Sequence, residues 1–272
     1  MSPEVGELDP DAFADLLDDD PDAALSLLAD LTGATDERLR RLALDLAGRI
    51  VVDLARTPRH PRPGVGRLRV GRWRGEGDVD LDSSMEEIAT ARAVGRVPDA
   101  EGLRATAWTR PPTALCLLVD RSGSMTGERL ATAAVTAAAV AHRHPDCSVV
   151  AFSDEAVVVT STGQRREPSE VAGDLLRLRG HGTTDVGLAL RVAGEQLARA
   201  PSGRRVAVLL SDCRSTTGDD PALSGGAVDE LVILAPRGDR ADADRLADAT
   251  GAKVAEIDGP SSAPQALHDV LA

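Results

Sequence analysis

Short apolar runs alternate with amphipathic stretches from residue 111 to residue 272. The runs are typical of buried strands, whereas the amphipathic stretches have the spacing of helices. The predicted strands span residues 114–119, 148–152, 156–160, 206–210, 231–235 and 253–257. The predicted helices span residues 128–142, 169–178, 186–200, 239–250 and a C-terminal segment from residue 264. This alternation predicts an α/β fold with a doubly wound, mostly parallel sheet and helices on both faces.

One pair of predicted strands departs from the parallel pattern. Only Ser153, Asp154 and Glu155 separate Phe152 from Ala156. Three residues are too few for a parallel crossover, so these two strands should form a hairpin. The sequence therefore predicts one antiparallel strand at the edge of the sheet.

The chain before residue 111 has a different pattern. Residues 1–57 predict a helical N-terminal region, and residues 58–110 predict a linker rich in Arg, Gly and Pro. The N-terminal helices should span residues 11–17, 22–31 and 36–55, the last with Asp36 as N-cap. In the linker we expect a short strand at residues 68–73, a helix that opens with a capping box at Ser83 and Glu86, and a strand at residues 103–110. Residues 111–272 then form the α/β domain.

Charge and composition narrow the classes of function. The net charge of −13 disfavours contact with a phosphate backbone. Tyrosine is absent, and the two Trp and two Phe are few aromatic side chains for stacking on single-stranded bases. We therefore expect no nucleic-acid partner. The first 37 residues contain no Lys or Arg, whereas seven arginines crowd residues 56–74. This uneven distribution of charge has two interpretations. It indicates a docking surface for a partner, or it reflects a chain that uses arginine at every solvated basic position, since Lys253 is its one lysine.

Neither a membrane segment nor a cysteine framework is indicated. No apolar run reaches the roughly 18 residues of a membrane span, and the first residues lack the features of a signal peptide. We expect a cytoplasmic protein with no membrane partner. Cys116, Cys147 and Cys213 are widely spaced and form no CxxC pair, which argues against disulfides and a zinc site.

Oxygen-bearing side chains follow the predicted strands at three places. Asp120, Ser122 and Ser124 alternate along the loop after the first strand of the α/β domain. A second group lies in the loop 180–185, and a third, Ser211 and Asp212, follows the strand 206–210. Ligands of doubly wound sheets bind at the carboxyl ends of strands. Because Mg²⁺ prefers oxygen ligands, the three segments together predict a magnesium site at this edge. Taken alone, the Asp-x-Ser-x-Ser segment is more often turn and helix-cap chemistry, and the segment before Val186 is typical of an ordinary helix N-terminus.

In this order, Asp120 to Ser124, Gly182 to Asp185 and Leu210 to Asp212 resemble the metal-ion-dependent adhesion site (MIDAS) of the von Willebrand factor A domain. The resemblance covers residues 111–272 and implies a bound Mg²⁺, with Mn²⁺ or Ca²⁺ as substitutes. It also implies that an Asp or Glu of a partner protein completes the metal shell. The implied metal residues are Asp120, Ser122, Ser124, Thr184 and Asp212. Thr184 is preferred to Thr183 because the family threonine directly precedes an aspartate. Cys213 departs from the family, which often has glycine there, and is either a small packed side chain or a redox-active thiol.

Because no catalytic centre is recognisable, we expect a binding protein and not an enzyme. The chain resembles intracellular bacterial proteins with a similar C-terminal domain and an N-terminal helical region. Such proteins look like partners of MoxR-type AAA+ ATPases. They also resemble the corresponding part of the magnesium-chelatase D subunit and the CoxE-type maturation proteins. The resemblance implies an adaptor between an ATPase and a client in metal insertion, enzyme maturation or complex remodelling. Two alternatives stay open, a metal-dependent phosphoester hydrolase and a scaffold that does not use the metal.

Overall fold

The computed structural model describes residues 9–32, 37–55, 67–73, 78–109, 113–122, 127–178, 180, 182–201 and 203–271. The chain divides into two compact units. One contains Met1–Arg59 and Thr113–Ala272, and the other contains His60–Pro112.

Strands and helices succeed each other along the described chain. The strands are β1 (Arg67–Arg72), β2 (Asp78–Val79), β3 (Arg104–Thr109), β4 (Thr113–Asp120), β5 (Ser148–Phe152), β6 (Ala156–Thr160), β7 (Arg204–Leu210), β8 (Glu230–Pro236) and β9 (Lys253–Ile257). The helices are α1 (Pro10–Asp19), α2 (Pro21–Leu31), α3 (Glu37–Ala55), α4 (Leu81–Ala93), α5 (Gly127–Arg143), α6 (Pro168–Arg177), α7 (Val186–Ala198), α8 (Pro221–Ser224), α9 (Ala241–Thr250) and α10 (Ala263–Leu271).

In the described part of the larger unit, six strands form one sheet in the order β6-β5-β4-β7-β8-β9. Neighbouring strands are parallel, except that β6 runs antiparallel to β5. The predicted α/β class and its antiparallel edge strand are therefore confirmed. The sheet order reverses at β4, so β5 and β7 flank the strand that ends at Asp120.

Alternate residues of β4 show how the helices cover both faces of the sheet. Leu115, Leu117 and Val119 belong to a core shared with α5, α6 and α10. Cys116 and Leu118 point to the opposite face, where they join a core with α7 and α9. All five side chains are buried. Successive side chains of a strand point to opposite faces, so an uninterrupted apolar run is what a doubly covered strand requires.

The N-terminal helices form a further layer on the first of these faces. Helix α2 packs against α5, and α3 packs against α5 and α6. Phe13, Leu28 and Leu39 join the same core as the sheet. The sequence pattern predicts a separate helical region over residues 1–57, and in the structure these helices belong to the larger unit. The difference arises because their apolar stripes have a partner in α5 and α6, which the sequence does not identify.

Helix α5 is enclosed by protein along most of its length. Every residue from 131 to 141 is buried, because the sheet covers one side and α2 and α3 cover the other. Small side chains are the ones that fit a helix packed all round, which explains its many alanines. Thr132 and Thr136 are accommodated because their hydroxyls donate hydrogen bonds to the carbonyl oxygens of Glu128 and Thr132, at 2.8 and 2.7 Å.

The smaller unit is more ordered than the predicted linker. Its described strands form a three-stranded antiparallel sheet in the order β1-β3-β2. In the sequence, helix α4 lies between β2 and β3. The predicted capping box at Ser83 is wrong, since α4 begins at Leu81 with Asp80 as its N-cap. Asp80 accepts hydrogen bonds from the Ser83 amide at 2.8 Å and the Thr106 hydroxyl at 2.9 Å, which together lower its pKa. The predicted cap at Asp36 lies outside the described residues.

No helix among the described residues combines the length and the apolar character that crossing a bilayer requires.

The packing of α5 makes it intolerant of larger side chains. We expect Ala138→Leu to lower the free energy of unfolding by about 1 to 3 kcal/mol, because Ala138 is fully buried and neighbouring elements cannot move apart cheaply. Urea denaturation measures the effect. The control is Ala198→Leu at an exposed position of α7, which should change stability by less than about 0.5 kcal/mol. Equal midpoints for the two variants would contradict the enclosed position of α5.

Candidate metal centre

Asp120 is the last residue of β4 and lies at the centre of the carboxyl edge of the sheet. Its side chain is 5% exposed. One carboxylate oxygen, Oδ1, accepts a hydrogen bond from the Ser122 amide at 2.8 Å, and Oδ2 accepts one from the Ser211 hydroxyl at 2.8 Å. The first and third predicted segments, 91 residues apart in sequence, are therefore joined directly.

Burial leaves Asp120 with an incompletely compensated charge. Loss of solvent raises the pKa of this carboxyl group, the Ser122 and Ser211 hydrogen bonds oppose that rise, and the nearby Asp212 adds to it. A cation beside Asp120 would offset the desolvation of the carboxylate, as expected of a metal ligand.

The structure describes one of the two serines predicted as metal residues in the loop after β4. Ser122 is partly buried beside Asp120, where its amide is held by the carboxylate. Ser124 lies outside the described residues. Its role stays a prediction from the sequence.

Thr184 is held between two loops. It is 5% exposed, whereas Thr183 is exposed. Its amide donates to the Thr216 hydroxyl at 2.9 Å, and its carbonyl oxygen accepts from the Thr216 amide at 2.9 Å. The next amide, of Asp185, donates to the carbonyl oxygen of Ser153 at 2.9 Å, just beyond β5. These contacts place the second predicted segment between the ends of β5 and β7.

Asp185 shows that the helix-cap interpretation of this loop also holds. Its carboxylate accepts a hydrogen bond from the Leu188 amide at 2.7 Å and is the N-cap of α7. Capping by Asp185 fixes the direction in which the chain leaves Thr184. Cap chemistry and a metal role for the preceding threonine are therefore compatible.

Asp212 follows β7 and is largely buried, with 13% of its side chain exposed. Its Oδ1 accepts a hydrogen bond from the Arg214 amide at 3.0 Å. Its Oδ2 lies 3.7 Å from Nη1 of Arg129, in the first turn of α5. An arginine is thus the cationic neighbour of this carboxylate.

A cavity of about 220 Å³ lies between the carboxyl edge of the sheet and the first turn of α5. We call it the rim cavity. It is lined by Asp120, Glu128, Arg129, Thr132, Leu210, Ser211, Asp212, Pro236, Arg237, Ile257, Asp258 and Gly259. The structure therefore brings Asp120 and Asp212 to one cavity and places Ser122 beside Asp120, whereas Thr184 is not among the lining residues.

The charges of the rim cavity match a divalent cation. Among its described lining residues, four carboxylates face two guanidinium groups, an excess of two negative charges. Arg129 lies beside Asp212, and Arg237 forms an ion pair with Asp258. The remaining carboxylates are those of Asp120 and Glu128.

The donor set fits a hard cation, although carboxylates alone do not complete a shell. Within the described residues, no group of three or more His, Cys, Asp or Glu side chains is arranged to hold a metal. Hydroxyl oxygens, water and a ligand from outside would have to supply the other positions, which is usual for Mg²⁺. The residues present therefore fit Mg²⁺, Mn²⁺ or Ca²⁺ better than a metal that favours sulfur or nitrogen.

Ser211 was predicted as part of the third oxygen-bearing segment but not as one of the metal residues, and Glu128 and Arg129 were not predicted at the site. Ser211 donates to Asp120 and accepts a hydrogen bond from the Cys213 amide at 2.9 Å, so it fixes both the carboxylate and the loop. Glu128 and Arg129 reach the cavity because of where α5 begins, which a sequence motif does not show.

Helix α2 reaches loops on both sides of the rim cavity. Asp22 accepts hydrogen bonds from the Ser261 amide and hydroxyl at 2.7 and 3.0 Å, just beyond the lining residue Gly259. At the start of α5, a Cβ on Gly127 would lie 2.9 Å from the Ser26 hydroxyl, and φ there is +49°. Glycine is therefore required at this close approach.

Cys213 has a strained backbone and a buried thiol. Its φ of +63° lies in the left-handed region that favours glycine, which explains why the family often has glycine here. Burial is the main cause that raises the thiol pKa, and the charges of Asp212, Asp120 and Asp242 raise it further. A thiol held in its protonated form is a poor nucleophile. The packed side chain is therefore the better interpretation of Cys213.

The backbone of Cys213 leads to a prediction about replacement. Cys213→Gly should be more stable than Cys213→Ala by about 1 kcal/mol, because both lose the thiol but only glycine relieves the left-handed strain. Cys147 is the control, since it is also buried but has no positive φ. There, alanine should be the more stable replacement. Chemical denaturation of the four variants tests the order, and the same order at both positions would contradict the strain at Cys213.

Comparison with known proteins identifies the domain. Residues 115–215 match the family model of the von Willebrand factor type A domain. The matched segment runs from β4 to just beyond β7 and contains Asp120, Ser122, Thr184 and Asp212. This segment of the chain therefore matches a von Willebrand factor type A domain.

One curated relative is an uncharacterized protein, sll0103, of Synechocystis sp. (strain ATCC 27184 / PCC 6803 / Kazusa). It is 32% identical over 124 residues, which cover 44% of this chain and 30% of the relative. The chain thus spans less than a third of the length of that protein.

Among solved structures, von Willebrand factor type A from Catenulispora acidiphila is 24% identical, with a TM-score of 0.48 over 61% of this chain and 43% of that one. Proximal thread matrix protein 1 from the mussel byssus, described with a zinc occupied MIDAS motif, is 14% identical, with a TM-score of 0.49 over 60% and 48%. These likenesses are too weak to carry an argument. The fold assignment stands on the strand order and the helix packing.

Proposed function

We propose that this chain is a metal-dependent binding protein that captures a carboxylate of a partner protein at the edge of its sheet. The observation that carries the proposal is Asp120, a buried carboxylate joined to Ser122 and Ser211 and open to a cavity with an excess of two negative charges. Asp120, Ser122, Ser124, Thr184 and Asp212 would hold Mg²⁺. When bound, the metal would supply a positive charge and an open coordination position for an Asp or Glu of the partner.

The residues of this chain would position the site and not carry out a reaction. Ser211 orients Asp120, and the Arg214 amide orients Asp212. Each of these contacts is made by a residue of the loop after β7, so that loop determines the distance between the carboxylates. We propose binding, and not catalysis, as the role of the site.

We further propose that the protein is a cytoplasmic adaptor for a MoxR-type AAA+ ATPase in metal insertion, enzyme maturation or complex remodelling. The resemblance in domain order motivates this assignment. The described part of α1 exposes Asp15, Asp18 and Asp19, in a region of the sequence without Lys or Arg up to Arg38. This acidic helix is a candidate docking surface for the ATPase.

Metal binding is tested by thermal unfolding. At about 100 times its dissociation constant, Mg²⁺ should stabilise the protein by about 2.7 kcal/mol and raise Tm by about 5 to 10 °C. Asp120→Asn, which keeps the shape of the side chain, and Asp120→Ala should both lose the shift. Asp146→Ala should keep it, since Asp146 is exposed before β5, at the opposite edge of the sheet. If Mg²⁺ and Mn²⁺ leave the Tm of the native chain unchanged, the scaffold alternative holds instead.

The adaptor role is tested by affinity capture from the native cell. The tagged chain should retain an AAA+ ATPase in the presence of Mg²⁺. Replacing Asp15, Asp18 and Asp19 by Asn should reduce ATPase capture, whereas Asp120→Asn should reduce capture of the client. Recovery of no AAA+ ATPase with the native chain would refute the adaptor assignment and leave the metal site untouched.

A further inference from the structure

The smaller unit exposes its large apolar side chains and buries small ones. Among its described side chains, the buried ones are Ser84, Ala91 and Ala105. The large apolar side chains that are exposed, by between 52 and 85%, are Val70, Leu81, Met85, Val94 and Val97. Units of this size are marginally stable even when their apolar residues lie inside. Covering this surface would remove apolar area from water and stabilise the unit.

Helix α4 carries the most regular part of the exposed apolar surface. Leu81, Met85 and Ala89 follow one another at intervals of four residues, so they lie along one stripe of the helix. All three are exposed, Leu81 by 64% and Met85 by 55%. The buried Ser84 lies on another side of the helix, where its hydroxyl group forms hydrogen bonds with the backbone of Arg104 in β3. The described part of the chain therefore leaves the stripe uncovered.

The charges of α4 match those of a second copy of the same helix. Asp82 lies in the first turn, and Arg92 lies in the last turn. Both side chains are exposed, and among the described residues neither has an ion-pair partner. When two such helices lie side by side and antiparallel, the acidic first turn of each meets the basic last turn of the other.

An antiparallel pair of α4 helices also matches large side chains with small ones. Because the rise per residue is constant, residues equally far before and after a two-fold axis lie opposite each other. With the axis level with residue 87, Met85 of one helix lies opposite Ala89 of the other. The same register brings Asp82 opposite Arg92. Size and charge are thus complementary in one and the same register.

We propose that α4 forms the interface of a homodimer, in which the helices of two copies pack antiparallel about a two-fold axis. The occupant of the stripe is a second copy because the helix is complementary to itself. One helix from each copy makes a small interface, so the association is reversible and depends on concentration. This role is separate from the proposed metal-dependent capture.

Sedimentation equilibrium of the full chain tests the interface. The average mass of the native protein should rise from one chain towards two as its concentration increases. Met85→Glu should weaken the association by at least about tenfold, because it places an unpaired charge in an apolar contact. Leu223→Glu is the matched control, since Leu223 is 80% exposed on α8 in the larger unit. The association of this control should stay within about twofold of the native value.

Exchange of a large and a small side chain tests the register. Met85→Ala should weaken the association by about tenfold, because an apolar contact is lost on both sides of the axis. Adding Ala89→Met to that variant should restore the association to within about threefold, because a large side chain again lies opposite a small one. Alanine and methionine are both strong helix formers, so these changes keep α4 helical.

A charge reversal tests the ion pairs. Arg92→Glu should weaken the association by about threefold or more, because it places a second carboxylate opposite Asp82. An unchanged association in this variant would contradict the antiparallel register.

The remaining outcomes concern the interface alone. A native protein that stays a single chain at every concentration would overturn the homodimer, and the occupant of the stripe would then be a different protein. Equal weakening by Met85→Glu and Leu223→Glu, or no recovery on adding Ala89→Met, would overturn the assignment to α4. The association needs no metal, so none of these results affects the proposed metal-dependent capture.

Discussion

The enclosure of α5 is the constraint on which the rest of the structure depends. The helix lies between the sheet and the N-terminal helices, and residues 131–141 are buried. Its close packing fixes where its N-terminal end meets the sheet edge, and the first two turns supply Glu128, Arg129 and Thr132 to the rim cavity. A shift of α5 would therefore change the hydrophobic core and the candidate metal centre at the same time.

The candidate metal centre is built from the same parallel arrangement. Strands β4 and β7 are neighbours, so residues that follow them meet although they are far apart in the sequence. Ser211 bonds to Asp120, and Asp212 lies in the same cavity. Carboxylates brought this close repel each other unless a cation lies nearby. The arginines beside Asp212 and Asp258 compensate part of that charge, and a divalent cation would compensate the rest.

The N-terminal helices belong to the site as well as to the core. Asp22 binds Ser261 in the loop before α10, and α2 approaches Gly127 closely at the start of α5. A protein that docks on this helical layer would contact the same compact unit that carries the loops around the cavity. In the proposed adaptor, the ATPase-binding surface and the client-binding site therefore lie in one compact unit, although some 90 residues of sequence separate α2 from Asp120.

The sequence by itself determined the sheet, its antiparallel edge strand and the positions of Asp120, Thr184 and Asp212 at strand and loop ends, because apolar runs and loop chemistry are local signals. The prediction of a cap at Ser83 misplaced the start of α4. The capping residue is the one whose side-chain oxygen accepts a hydrogen bond from an amide of the first turn, and here Asp80 accepts it from the Ser83 amide. Tertiary structure decided the rest. Whether the N-terminal helices stand apart, how Ser211 orients Asp120, and that Arg129 lies beside Asp212 all depend on packing between distant segments, which no local pattern encodes.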